Sequence, residues 1–375
     1  MRIFDNINVD FLSKRKITYF LSGTLILISL ISLVTRGLEL GIDFLGGTEI
    51  ALKFEQPIDI ADIRNDLNEI GLGNIEVKTF GGESGLLIRT ELQQMNPELF
   101  NRVTESIVQN INSNFPGIQF SEVESTVNSI TYKFESSSTA QAVSDKLFES
   151  GFQTSVAENN SVVFRVGIAD WIEESLRESL PGNSFVIQKE DQVGPKIGEE
   201  LKLDSLLAIL VALIVILSYL WVRFKLVFGM GAVIALFHDV LITLGLFSLL
   251  YGLIPGLNLE ISISVVAAFL TLVGYSINDT VVVFDRVREN IKLHKTAKLE
   301  DNINNAINRT MRRTIVTSAT TLFVVTVLLF FGGDVLRGFA FTLFFGIIVG
   351  TYSSIFVASP IVFEYATRTK KTIQF

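Results

Sequence analysis

Six stretches of this chain are apolar for long enough to cross a bilayer core of roughly 30 Å, a distance that takes about 20 helical residues. They lie at about 17–34, 203–222, 227–251, 260–284, 314–331 and 338–363. Only 19% of the residues are charged, against about a quarter in an average soluble domain, so an ordinary soluble fold is excluded. The chain has no cysteine and only two histidines, His238 and His294, which removes disulfides, thiolate metal sites and cysteine nucleophiles. No cofactor or metal is expected.

Lysine and arginine set the direction of threading, because they collect in the short loops on the cytoplasmic side. Lys14, Arg15 and Lys16 precede the first span, Arg223 and Lys225 lie between the second and third, and Arg286 to Arg313 fill the loop after the fourth. Arg368, Lys370 and Lys371 follow the sixth, whereas residues 252–259 have no basic residue and 332–337 only Arg337. Both termini are therefore expected in the cytoplasm. The first span reads as an uncleaved anchor, since Thr35-Arg36-Gly37-Leu38-Glu39 offers no small-x-small cleavage site.

Residues 37–202 then lie outside as one acidic block of 27 acidic and 12 basic side chains. Such a surface does not suit the phosphates of nucleic acid. The block repeats itself. Ile50, Lys53, Phe54, Glu55, Leu67, Glu69 and Gly71 recur as Ile130, Lys133, Phe134, Glu135, Leu147, Glu149 and Gly151, and Arg89 recurs as Arg165. Each copy alternates strand-like and helix-like stretches as β-α-β-β-α-β, the ferredoxin-like order. The fold class expected is a polytopic α-helical membrane protein with six transmembrane helices and an α+β extracytoplasmic domain of two tandem ferredoxin-like units between helices one and two. The boundaries expected are 1–16 for a cytoplasmic N-terminus, 17–36 for the first helix, 37–120 and 121–202 for the two units, 203–363 for five helices and 364–375 for a cytoplasmic tail. No acid, base and nucleophile converge in the block, so it reads as a contact surface and the protein as no enzyme. Gly41, Gly46 and Gly47, in the segment joining the first span to the first strand, permit backbone angles suited to a hinge or a tight turn.

Ionisable side chains inside spans cost about 3 kcal/mol on insertion scales, so each needs a reason. Asp279 lies in the fourth span, six residues before Asp285 and thus roughly 9 Å inward of it at 1.5 Å per residue. Tyr275 shares its face and Asn278 adjoins it. Arg313 opens the fifth span and shares a face with Thr317 and Thr320, a polar stripe suited to an intramembrane contact. Asp279 and Arg313 are therefore the candidate proton switch; a fixed structural carboxylate and a headgroup-anchoring arginine are the bland alternatives. His238 and Asp239 in the third span belong either to that switch or to a packed polar seam. Gly346 and Gly350 form a small-xxx-small pair suited to helix packing.

Taken together, Gly41 to Thr48, Val193-Gly194-Pro195, His238-Asp239-Val240, Gly274 to Asn290, Arg313-Thr314, and Gly338-Phe339 through Pro360 resemble the SecF family. That resemblance implies a subunit that pairs with SecD as a heterodimer, beside the SecYEG channel complex of the bacterial cytoplasmic (inner) membrane. It implies use of the proton gradient to help export unfolded preproteins, with Asp279, Arg313 and Thr317 as the coupling residues and protons or sodium ions as the coupling ion. No GxxxxGK[ST] loop is present, so ATP is not the expected energy source. Members of the family usually carry one small outer unit, and two are expected here. The architecture also resembles the resistance-nodulation-division (RND) pumps, which makes a small-molecule or lipid exporter the alternative. A passive scaffold tethering an outer binding domain is the third.

Overall fold

The computed structural model describes residues 8–369 apart from 71, 73, 74, 93, 94, 96, 127, 225, 255 and 256. Gly71 of the repeat and the basic residues Lys225, Lys370 and Lys371 thus lie outside the described residues. The chain forms two compact units, one of residues 1–41 and 200–375 and one of residues 42–199. Six helices of the described chain are long and apolar enough to span a membrane.

Helix α1 (Arg15–Arg36) ends at Gly37, which takes φ +69° and donates its N–H to the Leu33 carbonyl at 3.1 Å. The outer unit follows, through α2 (Ile42–Leu45), β1 (Gly47–Phe54), α3 (Ile60–Glu69), β2 (Ile75–Thr79), β3 (Gly85–Thr90), α4 (Pro97–Asn114), β4 (Phe120–Ser125), β5 (Ser129–Phe134), α5 (Ser137–Glu149), β6 (Thr154–Ala157), β7 (Ser161–Arg165), α6 (Ile168–Ser179) and β8 (Phe185–Val193). Side-chain caps fix two helix starts: the Asp59 carboxylate accepts from Ala61 N at 2.8 Å, and the Ser136 hydroxyl accepts from Thr139 N at 3.1 Å.

Two antiparallel four-stranded sheets result, ordered β2-β3-β1-β8 and β4-β5-β7-β6. The repeat is real at its β-α-β-β core: Ile50 and Ile130, Phe54 and Phe134, and Leu67 and Leu147 are buried pairwise at equivalent places. The two units are not consecutive, however, and the expected boundary near residue 120 does not separate the sheets. β4 joins the second sheet and β8 closes the first. The physical reason is a short connection. Only residues 126–128 separate β4 from β5, so the two pair as a hairpin, from Phe120 against Phe134 to Ser125 against Ile130. That fills the edge beside β5, and β8 takes the equivalent edge beside β1. The helices follow their strands, α4 packing on α5 and α6 on α3 and β1.

One face of the first sheet buries charge. Glu49 on β1, 3% exposed, accepts from Arg89 on β3 at 2.5 Å and from Lys189 on β8 at 2.8 Å, and Lys189 also pairs with Asp191 at 2.6 Å. Burial alone would raise the Glu49 pKa, but the Lys189 and Arg89 charges more than reverse this and hold it below the usual value. Helix α6 carries the opposite case. Burial, reinforced by the Asp170 charge, pushes Glu173 up to about 7, and burial pushes Glu174 up to about 8 against an opposing hydrogen bond from Ser106. The Ser106–Glu174 bond, 3.1 Å long, ties α4 to α6.

The membrane unit continues with α7 (Pro195–Arg223), α8 (Leu226–Leu250), α9 (Ile263–Leu293), α10 (Leu299–Phe331), α11 (Gly333–Ser353), a π-helical turn (Ser354–Ala358) and α12 (Ser359–Thr369). Three helices reach well past the expected apolar limits, because a helix needs apolar residues only where it meets lipid: α7 begins at Pro195, eight residues before the expected 203. α9 runs on to Leu293, and α10 begins 15 residues before the expected 314. That early part of α10 fastens the N-terminal segment. Val9 N donates to Asn308 Oδ1 at 2.9 Å and Phe11 N to Asn304 Oδ1 at 3.1 Å, while Phe11 and Leu12 are buried in the core. In the sixth span Pro360 has no N–H for the Phe356 carbonyl four residues back, and the Thr18 hydroxyl of α1 lies 3.4 Å from that carbonyl and 3.0 Å from the Arg15 carbonyl of its own helix, its one proton shared between them.

The buried residues of α1 are Thr18, Ser22, Ser29 and Ser32, all small hydroxyl side chains. Because lipid is as apolar as leucine, a helix held this way depends on close packing and hydrogen bonds. Gly245 of α8 supplies the closeness: a Cβ there would lie 2.2 Å from the Ser29 side chain. Gly245→Val should therefore undock α1. With cysteines at positions 32 and 248, whose serine hydroxyls lie 2.9 Å apart, disulfide formation should fall at least tenfold, as expected for about 1.4 kcal/mol or more of lost packing.

Candidate functional site

Polar side chains gather at the centre of the membrane unit, on faces that α8, α9, α10 and α11 turn toward one another. Asp279 of α9 is 4% exposed. Its Oδ2 accepts from Ser318 Oγ of α10 at 3.4 Å, and Thr351 of α11 donates to that same serine oxygen at 2.8 Å. The carboxylate thus joins three helices. Arg313 acts on it through space, yet its own side chain is exposed. The face of α10 turned inward carries Ala306, Thr310, Thr314 and Ser318 at intervals of four, and Arg313 and Thr317 flank that stripe. Thr317 spends its hydroxyl on its own helix, donating to the Arg313 carbonyl at 2.9 Å and the Thr314 carbonyl at 3.0 Å.

The remaining candidates divide. Tyr275 is half-buried, with its hydroxyl oxygen enclosed and without a hydrogen-bond partner among the described residues. Asn278 is exposed on the other side of α9. Asp285, used as the depth marker, pairs at 2.9 Å with Arg223 at the end of α7.

His238 and Asp239 on α8 are 2% and 1% exposed, and their hydrogen bonds are more numerous than those of Asp279. Asp239 Oδ2 accepts from Ser276 of α9 at 2.5 Å and from Ser353 of α11 at 2.7 Å, and Oδ1 meets His238 Nδ1 at 2.9 Å. Gly350 makes room for this contact, since a Cβ there would lie 3.1 Å from the Ser276 side chain and 3.5 Å from Asp239 Oδ2. Gly346 likewise lets α11 approach Leu272, whose methyl groups a Cβ would meet at 2.5 Å. Ser276, Ser318, Thr351 and Ser353 were not singled out by sequence reasoning. Only Ser318 had a readable signal, the run Thr310, Thr314 and Ser318 at intervals of four along α10.

The three candidate hinge glycines sit in defined places. Gly41 belongs to the membrane unit and donates its N–H to the Ile261 carbonyl at 2.8 Å. Gly46 and Gly47 belong to the outer unit, with φ of +76° and +115°. At Gly47 a Cβ would stand 2.3 Å from the Thr90 carbonyl oxygen, so a side chain is excluded by both angle and space.

Comparison with known proteins agrees with this layout. A family described as "Protein export membrane protein SecD/SecF, C-terminal" matches residues 172–368, and the "SecD/SecF GG Motif" matches residues 31–58, the segment holding Gly46 and Gly47. A protein translocase subunit SecF from Rhodothermus marinus is 43% identical over 368 residues, covering 98% of this chain and 96% of that protein. The subunit SecF of Calditerrivibrio nitroreducens is 37% identical, covering 97% of this chain and 96% of that protein. These alignments run through the outer block, so the doubled unit does not set this chain apart from such relatives as the resemblance implied. The crystal structure of SecDF, a translocon-associated membrane protein from Thermus thermophilus, is similar with a TM-score of 0.66 at 30% identity. It matches 98% of this chain, which spans 40% of the longer SecDF chain. With near end-to-end identity to these relatives and a family match over more than half its length, the chain belongs to the SecF family of protein translocase subunits.

Proposed function

We propose that this protein is an accessory subunit of the bacterial Sec translocase that works with SecD to complete preprotein export, driven by the ion gradient across the cytoplasmic membrane. The observation that carries the reading is Asp279, a carboxyl buried at the meeting of three membrane helices with a guanidinium in electrostatic range. An ionisable group so placed is costly to bury, and such groups mark ion pathways. Protonating Asp279 weakens its attraction to Arg313 and its hold on Ser318, and α9, α10 and α11 then repack. The basic residues at the ends of α1, α7 and α12 and in the segment between α9 and α10 support cytoplasmic termini, with the acidic outer unit on the far side. SecD, the SecYEG channel and unfolded preproteins are the partners in this reading, and protons or sodium ions the coupling ion.

Depletion of the protein in its host tests the reading directly. Signal-bearing precursors should accumulate several-fold in pulse-chase labelling, while sensitivity to drugs and detergents should stay unchanged. The reverse pattern, with normal secretion and heightened drug sensitivity, would instead establish the RND-type exporter.

A further inference from the structure

The hydrogen bonds that leave the far side of His238 have directions that can be counted. His238 Nε2 lies 3.1 Å from Ser22 Oγ of α1, and Ser22 Oγ lies 3.1 Å from the Tyr352 hydroxyl of α11. Tyr352 in turn lies 3.0 Å from the Thr18 carbonyl oxygen of α1. A carbonyl only accepts and a phenol has one proton, so that proton belongs to the bond with Thr18. The proton between Ser22 and Tyr352 is then the serine's own. Ser22, having donated it, accepts from the imidazole, which places a hydrogen on Nε2. One more proton lies between Nδ1 and Asp239 Oδ1. The pair so arranged holds two protons and is neutral overall, as imidazolium with carboxylate or as imidazole with carboxylic acid.

Removing one proton reorders the chain. The ring keeps its remaining N–H toward the carboxylate, Nε2 becomes an acceptor, and Ser22 must turn its hydroxyl to the ring. Tyr352 then has one proton for two oxygens, Ser22 Oγ and Thr18 O, and one hydrogen bond between α1 and the rest of the bundle is lost. Among the described residues, other titratable groups on the surrounding helices do not interrupt this chain. Tyr352 stacks on the imidazole with ring centres 6.1 Å apart, Tyr275 adjoins Ser276 in sequence and Asp279 lies one turn beyond it on α9, and Tyr19 lies one turn before Ser22 on α1. Arg15 at the start of α1 is paired at 3.0 Å with Glu364 of α12.

We infer that the His238–Asp239 pair is a second intramembrane proton-binding site, and that its occupancy is read by α1 through Ser22 and Tyr352. With the proton bound, three successive hydrogen bonds link the pair to α1; without it, two remain. α1 is suited to register so small a change, because its buried seam consists of four hydroxyl side chains. The inference deepens the ion-coupled reading of the bundle and assigns α1 as the element that responds to this second site, beside the α9–α10 contact that responds to Asp279.

The test uses the full chain in lipid vesicles with no gradient imposed. His294→Gln leaves His238 as the only histidine, so the ring 15N resonances report one residue. Raising the pH from about 5 to about 9 should strip the proton from Nε2 and leave Nδ1–H. A second readout uses cysteines at positions 32 and 248 in this cysteine-free chain. Their cross-linking rate, divided by that of the same pair in a Ser22→Ala background to cancel thiol ionisation, should fall about fivefold over the same interval, the change expected for one hydrogen bond. Ser22→Thr, which retains the hydroxyl, should keep the pH dependence. An Nε2 whose protonation never changes, or a flat cross-linking ratio, overturns the proposal. Asp279→Asn should leave both readouts intact, so this site and the Asp279 relay can fail separately.

Discussion

Cells whose only copy of this protein carries Asp279→Asn should lose the gradient-stimulated part of export while the chain still accumulates in the membrane. Asparagine keeps the shape of the side chain and an oxygen for Ser318, whose hydroxyl lies 3.4 Å from Asp279 Oδ2, so packing among α9, α10 and α11 is preserved. What it cannot do is gain and lose a proton. Each charge moved across 100 mV is worth about 2.3 kcal/mol, and that energy enters the proposed cycle only through a group that binds the ion on one side and releases it on the other. The measurement is export into inverted membrane vesicles with and without an imposed gradient. The ratio should collapse to about one for Asp279→Asn, against a clear stimulation for the unaltered protein. Ser318→Ala keeps the carboxyl and should lower the ratio only several-fold, consistent with one lost hydrogen bond. A normal ratio for Asp279→Asn would refute the relay.

Glu174→Gln should stabilise the outer unit, and the gain should depend on pH in a defined direction. Glu174 titrates near 4.5 unfolded and is pushed up to about 8 by burial in the fold. Its contribution is complete below pH 4.5 and is lost as the pH rises through 8, because the folded state must then hold a charge away from water. At about 1.36 kcal/mol per unit, the cost by pH 8 is on the order of 4 kcal/mol. Glutamine carries no charge at any pH and retains an oxygen for Ser106, so the gain at pH 8 should be on the order of 3 kcal/mol, or roughly 8 °C in Tm, and should vanish below pH 4.5. Glu173, pushed up to about 7, acts in the same sense, so the substitution should shrink the alkaline loss without removing it. Glu49 has the opposite sign. Its pKa is held low, so its contribution is present at neutral pH and lost as the pH falls through that lowered value. Trp171 lies on α6 beside these glutamates, and in a Trp221→Phe background its fluorescence reports unfolding of this unit alone.

The membrane helices were legible because lipid imposes a single rule, continuous apolarity over a fixed length. Their full extents were not, because outside the lipid α9 and α10 continue on mixed surfaces whose partners, such as Val9 and Phe11 for Asn308 and Asn304, are hundreds of residues away in the chain. In the outer unit the repeat revealed the β-α-β-β cores and hid the exchange of β4 and β8. Both strands follow a helix and both fit the same edge, so similarity between copies cannot assign them; the three-residue link from β4 to β5 could have. At the candidate site the carboxylates announced themselves by their cost in an apolar helix. Serine and threonine gave no such signal, since they satisfy themselves on their own helix as readily as they reach across, and only the folded faces distinguish Ser318, which reaches across, from Thr317, which does not.

The exchange of edge strands also sets an order of assembly. Residues 97–165 hold every strand of the β4-β5-β7-β6 sheet in one uninterrupted run, so that half can close soon after it is synthesised. Its sister must wait with β1 unpaired along one edge until residue 193 has emerged, more than 130 residues after β1 itself. A nascent chain halted between residues 165 and 185 would carry one finished module and one unfinished one, with an open edge inviting the wrong neighbour.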